Sequence, residues 1–68
     1  MNMYKVRFSE LIRQYRYDKR LTQSDFGKKL GVSAQAVYKW ERQVCCPDIM
    51  LLPELARILG CKIDEFFE

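Results

Sequence analysis

The stretch that most constrains this chain is Gln23 to Arg42, QSDFGKKLGVSAQAVYKWER. Its apolar or small residues, Phe26, Gly27, Leu30, Val32, Val37 and Trp40, fall at helical intervals on either side of Gly31. Thr22-Gln-Ser-Asp25 has the form of a capping box, in which Thr22 accepts from a backbone amide and the acid reaches back. A helix therefore starts after Thr22 and stops at Gly31, which supplies a left-handed turn. Ser33 caps a second helix that continues to about Arg42. Two helices so short need other elements at their backs.

Those elements are legible on both sides. Phe8, Leu11, Ile12 and Tyr15 recur at i, i+3, i+4 and i+7, which predicts a first helix from about Lys5 to Lys19. Arg7, Glu10, Arg13 and Asp18 then face solvent, and Lys19 and Arg20 suit its C-terminal dipole. Gln43 to Asp48 is a loop, because Pro47 biases Cys46 away from helix. Leu52, Leu55, Ile58 and Leu59 make the stripe of a fourth helix ending at Gly60. Asp48 could cap it, but a start nearer Met50 or Leu51 is preferred, since it puts Pro53 in the first turn. Ile63 to Phe67 forms a short fifth helix. The expected architecture is a compact all-α domain of five helices over residues 1–68.

With 68 residues, about half of them apolar, the chain can bury one small core, and dimerisation or a bound partner would add stability. The charge is uneven: residues 1–30 hold eight of the twelve basic residues and three of the nine acidic ones. Such asymmetry suits one surface facing a polyanion. Cys45, Cys46 and Cys61 are odd in number, with no His and no Cys-x-x-Cys pair, so no metal or other cofactor is expected and the thiols read as reduced. No apolar run approaches membrane-spanning length and the start lacks a signal-peptide core, so the expected location is the cytoplasm. Without His, nucleophile–base pairs or clustered carboxylates, an enzyme is not expected.

On a wheel of about 100° per residue, the helix after Ser33 divides in two. Ala36, Trp40, Ser33 and Val37 share a core arc, while Ala34, Gln35, Tyr38, Lys39 and Arg42 share the other side with Glu41 at its edge. That outer side offers an amide, a phenol, an ammonium and a guanidinium. An amide pairs bidentately with adenine, Lys39 or Arg42 with guanine or phosphate, and Ala34 leaves room for a thymine methyl. One α-helix fits the DNA major groove.

Spacing adds to this. Close crossing of two helices asks for a small residue in the first, a turn-former between them and an apolar anchor in the second, as Gly27, Gly31 and Val37 provide. LTQSDFGKKLGVSAQAVYKWER, then Pro47, LLPELARILG and KIDEFF together resemble the lambda-repressor-like, Cro/CI-type (XRE-like) helix-turn-helix family over nearly the whole chain. The resemblance implies a five-helix fold whose third helix enters the major groove, in a transcriptional regulator expected to act as a repressor. It implies that Ala34, Gln35 and Lys39 face base edges, and that Gln23, Ser33, Tyr38 and Arg42 touch phosphate or flanking bases. It further implies that Arg16 pairs with Glu41 to hold the third helix, with Gly27, Gly31, Val37 and Trp40 as support. The expected partner is double-stranded DNA with a two-fold site, bound by a homodimer.

Arg20 and Gln43 stand where many relatives have glycine; a left-handed backbone there would cost about 1 kcal/mol each relative to Gly. Val44 sits where relatives often carry a cation, and Ala34 where many have a longer polar side chain. A second function class is a protein-interaction module of the same fold, such as an antitoxin-like or adaptor protein. Val44, Cys45, Cys46 and the Phe66–Phe67 end are the surfaces it would use.

Overall fold

In a computed structural model, residues 7–67 are described, and among them every regular element is helical. In chain order they are α1 (Phe8–Lys19), α2 (Gln23–Leu30), α3 (Ala34–Glu41), a 3-10 turn (Ile49–Leu51), α4 (Leu52–Leu59) and a closing 3-10 helix (Ile63–Phe67). The all-α expectation stands, but five α-helices become four. The last segment is wound as 3-10, a form that short pieces of helix commonly take, and it seats Phe66 in the core.

Local sequence accounts for most boundaries. Thr22 Oγ1 accepts from Asp25 N–H at 3.0 Å while Asp25 Oδ2 accepts from Thr22 N–H at 3.1 Å, a complete capping box. Ser33 Oγ accepts from Ala36 N–H at 3.2 Å. Gly31 and Gly60 end α2 and α4 in left-handed conformation, with φ of 76° and 71°. Both proposals for the start of the fourth helix hold in part: Asp48 caps the 3-10 turn through Met50 N–H at 2.9 Å, and Pro53 lies in the first turn of α4. α1 begins later than the apolar pattern suggested, at Phe8, since Arg7 has ψ of 2° and is not helical; Lys5 lies outside the described residues.

The core is built from Phe8 and Ile12 of α1, Phe26 of α2, Val37 and Trp40 of α3, Leu55 and Ala56 of α4, and Phe66. Tyr15 meets Phe26 edge to face, with ring centroids 5.7 Å apart. The two ends of the described chain are joined by Arg7 N–H donating to the Phe66 carbonyl at 2.7 Å. α2 and α3 pack on each other most extensively, and α1 lies behind α3.

Gly27 explains how α2 and α3 come so close. A Cβ there would stand 2.5 Å from the Val32 carbonyl oxygen and 3.2 Å from that of Ser33. The crowding is therefore against the backbone of the connecting turn rather than against a side chain of the crossing helix. Val32 N–H also donates to the Gly27 carbonyl at 2.9 Å, folding the turn onto the end of α2.

Arg20 and Gln43 both adopt the left-handed conformation, with φ of 58° and 59°. Each therefore carries the Cβ strain that a glycine would avoid. At Gln43 the side chain offsets part of it, since Nε2 donates to the buried Ser9 hydroxyl at 3.0 Å.

Candidate nucleic-acid interface

α3 presents its two sides unequally. Val37 and Trp40 are buried, while Gln35, Tyr38, Lys39 and Arg42 are exposed and Ala34 is half-buried. Ser33, assigned to the core arc by the wheel, is exposed: it precedes the helix with an extended backbone, so the helical angle does not apply to it. Tyr38 and Arg42 engage each other one turn apart, Arg42 Nη1 donating to the Tyr38 hydroxyl at 3.3 Å with the guanidinium 5.7 Å from the ring centre. Gln35 and Lys39 stand on the same exposed side.

Glu41 departs from the helical wheel but makes the pair with Arg16 that the family resemblance implies. The wheel put it at the edge of the outer side, yet it is 5% exposed and turned inward. Arg16 grips it bidentately, Nε to Oε2 at 2.6 Å and Nη2 to Oε1 at 2.9 Å. Gln23 Nε2 adds a bond to Oε1 at 3.2 Å. Burial on its own would raise the Glu41 carboxyl, but the hydrogen bonds from Arg16 and Gln23 and the charges of Arg16 and Arg13 outweigh it and hold the group below its ordinary value. The consequence for α3 is simple: its exposed side carries no acid.

Arg13 also departs from expectation. Rather than facing water alone, it donates through Nη2 to the Glu41 main-chain carbonyl at 2.7 Å. That carbonyl lies in the last turn of α3, where intrahelical partners run out and a cation suits the dipole. Two arginines of α1 thus hold the C-terminal end of α3, one by its backbone and one by its side chain. Arg13 lies three residues before Arg16 and shares its helix face, which is the signal that would have found it.

At the other end of the helix pair, Gln23 begins α2. Its amide nitrogen is turned toward Glu41, and an amide nitrogen carries two hydrogens, so one is left for an outside acceptor. The first backbone N–H groups of α2 precede its intrahelical bonds, and a helix start of this kind favours an anion. Among the described residues no group of three or more His, Cys, Asp or Glu could hold a metal ion, and no helix is long and apolar enough to cross a membrane.

Two short helices crossed over a tight glycine turn, with a third at their back and no acid on the exposed side of the second, define a helix-turn-helix protein. A family model described as helix-turn-helix matches residues 12–66. The chain belongs to the helix-turn-helix family of Cro/CI, XRE-like type. It is 38% identical over 56 residues, covering 82% of this chain and 85% of the relative, to an uncharacterized HTH-type transcriptional regulator of Methanocaldococcus jannaschii. Among solved structures it is similar to the P22 c2 repressor in complex with a synthetic operator, with a TM-score of 0.79 and 33% identity, covering 90% of this chain and 92% of that one. Hydroxypropylphosphonic acid epoxidase from S. wedmorenis contains a similar fold, with a TM-score of 0.73 at 20% identity, of which this chain spans 36%. That likeness is one of fold alone.

Proposed function

We infer that the protein is a sequence-specific binder of double-stranded DNA that acts as a transcriptional regulator, most simply a repressor, in the cytoplasm. The observation that carries this reading is the exposed side of α3, with Gln35, Tyr38, Lys39 and Arg42 outward and Glu41, its one acid, turned into the protein. α3 enters the major groove, with Ala34, Gln35 and Lys39 at base edges. Gln23, Ser33, Tyr38 and Arg42 lie against phosphates or flanking bases, and the Arg16–Glu41 pair, with Gly27, Gly31, Val37 and Trp40, sets the angle at which α3 is offered.

The repressor–operator complex among the similar structures supports this reading, as does the relative described as a transcriptional regulator. A homodimer on a two-fold site is the matching assembly. Val44, Ile49, Met50 and Phe67 are exposed apolar residues that a second copy would cover. Exposed Val44, Cys45, Cys46 and Phe67 also favour a second reading, docking of an unrelated protein partner by a module of this fold, although Phe66, expected on the same surface, is buried in the core.

Duplex binding measured by fluorescence anisotropy at two salt concentrations tests the first reading. Binding that weakens steeply as salt rises is expected, because phosphate contacts release counterions. Failure to bind any genomic fragment at low salt would leave the protein-docking reading.

A further inference from the structure

The segment between α3 and α4 displays two thiols for which the DNA-reading arrangement has no use. Cys45 and Cys46 are both exposed, whereas Cys61 is half-buried. The segment is fixed at both ends: Val44 N–H donates to the Lys39 carbonyl at 2.9 Å, and Pro47 is buried. Cys45 therefore follows directly on a residue bonded to the last turn of α3. In the chain the thiol pair follows Arg42 by three and four residues, and the Val44–Lys39 bond ties that stretch to the last turn of α3.

We propose that Cys45 and Cys46 are a modification site for low-molecular-weight disulfides, and that an anionic adduct there weakens the hold on DNA. The second half rests on the DNA-binding reading above. In the reaction, the thiolate of one cysteine attacks one sulfur of the small disulfide. A protein–S–S bond forms, the original S–S bond breaks, and the leaving thiolate takes the electron pair. The cysteine's proton goes to solvent, the protein sulfur is oxidised and half of the small disulfide is reduced.

Adjacency keeps such an adduct in place. The neighbouring thiol could expel it only by closing a disulfide between consecutive residues. Consecutive Cα atoms across a trans peptide are about 3.8 Å apart, and disulfides usually span about 4.4–6.8 Å. No described peptide is cis. Ring closure is thus disfavoured. Cys61 provides an internal contrast: burial and the nearby Glu65 carboxylate push its thiol up, leaving less thiolate to react.

An adduct such as glutathione brings carboxylates to the border of a helix side that exposes Gln35, Tyr38, Lys39 and Arg42 and no acid. Repulsion from phosphate follows, and it is greatest at low salt.

The test uses the reduced full chain and glutathione disulfide, read by intact mass, peptide mapping and a non-reducing gel. DNA affinity is then measured on a fragment that the reduced protein binds. One or two glutathionyl adducts are expected on Cys45 and Cys46 before any on Cys61. Affinity should fall about fivefold to tenfold at low salt, and a thiol reductant should restore it. A Cys45→Ser, Cys46→Ser variant should bind DNA like the parent and ignore the disulfide. An internal Cys45–Cys46 disulfide, a covalent dimer, first labelling at Cys61, or adducts that leave affinity unchanged would each overturn the proposal. If the reduced protein binds no duplex, the DNA reading fails with the release step, while the mass data still decide the modification.

Discussion

Arg16 on α1 and Glu41 at the end of α3 are joined by two hydrogen bonds of 2.6 and 2.9 Å, with Glu41 almost wholly out of water. The pair bridges the helix behind to the helix in front and takes α3's one acid out of its exposed side. Glu41→Ala would leave Arg16, Arg13 and Gln23 facing a carboxylate that is gone. An uncompensated, nearly buried guanidinium is costly, and a loss of about 3 kcal/mol is expected in urea unfolding.

The same carboxylate sets an acid limit. Its pKa is depressed in the folded protein, so the stability it contributes is present above the unfolded Glu value, about 4.3, and is lost as pH falls through the lower folded value. Unfolding midpoints followed downward from pH 6 should therefore drop below about pH 4.3. Glu41→Gln should be less stable at neutral pH and show a shallower acid limb. Asp25, depressed by its bonds to Thr22, works in the same direction and should leave part of the slope in place.

Gly27 and Gly31 differ in what a methyl group would meet. At Gly27 it meets backbone at 2.5 Å, whereas at Gly31, with φ of 76°, it meets nothing within 4 Å. Gly31→Ala should cost about 1 kcal/mol from left-handed strain alone. Gly27→Ala should cost about 2–3 kcal/mol, because the turn itself must move. Thermal unfolding of the two variants side by side checks the order.

Arg20 and Gln43 share a left-handed backbone but not a role. Arg20→Gly should stabilise the protein by about 0.5–1 kcal/mol. Gln43→Gly removes a similar strain and also the donor to the buried Ser9 hydroxyl, so its net effect should be neutral or unfavourable. Equal stabilisation by both substitutions would mean that the Gln43–Ser9 bond contributes nothing.

The fold was legible where its determinants are local. The capping box at Thr22, the cap at Ser33, the left-handed glycines and the apolar stripes lie within one or two turns of what they control. The winding of Ile63–Phe67 was not legible, since a five-residue segment has no periodicity long enough to tell 3-10 from α. Around α3, the wheel separated Val37 and Trp40 from Gln35, Tyr38, Lys39 and Arg42, but it gives direction only about the helix's own axis. Glu41 was misplaced because its burial depends on donors 18 to 25 residues away, and Gln43 meets Ser9 across 34 residues. Nothing local announces such contacts. The Arg16–Glu41 pairing was available from the family resemblance alone.

The most direct measurement for the central claim is selection of bound duplexes from a random library at low salt, with the parent protein and Gln35→Ala in parallel. For the parent we expect one enriched motif with two-fold related halves about one DNA turn apart. Gln35→Ala should bind that motif about 1–3 kcal/mol more weakly and lose preference at one base position in each half. An unchanged motif for Gln35→Ala, or no enriched sequence for the parent, would contradict the reading of DNA by the exposed side of α3.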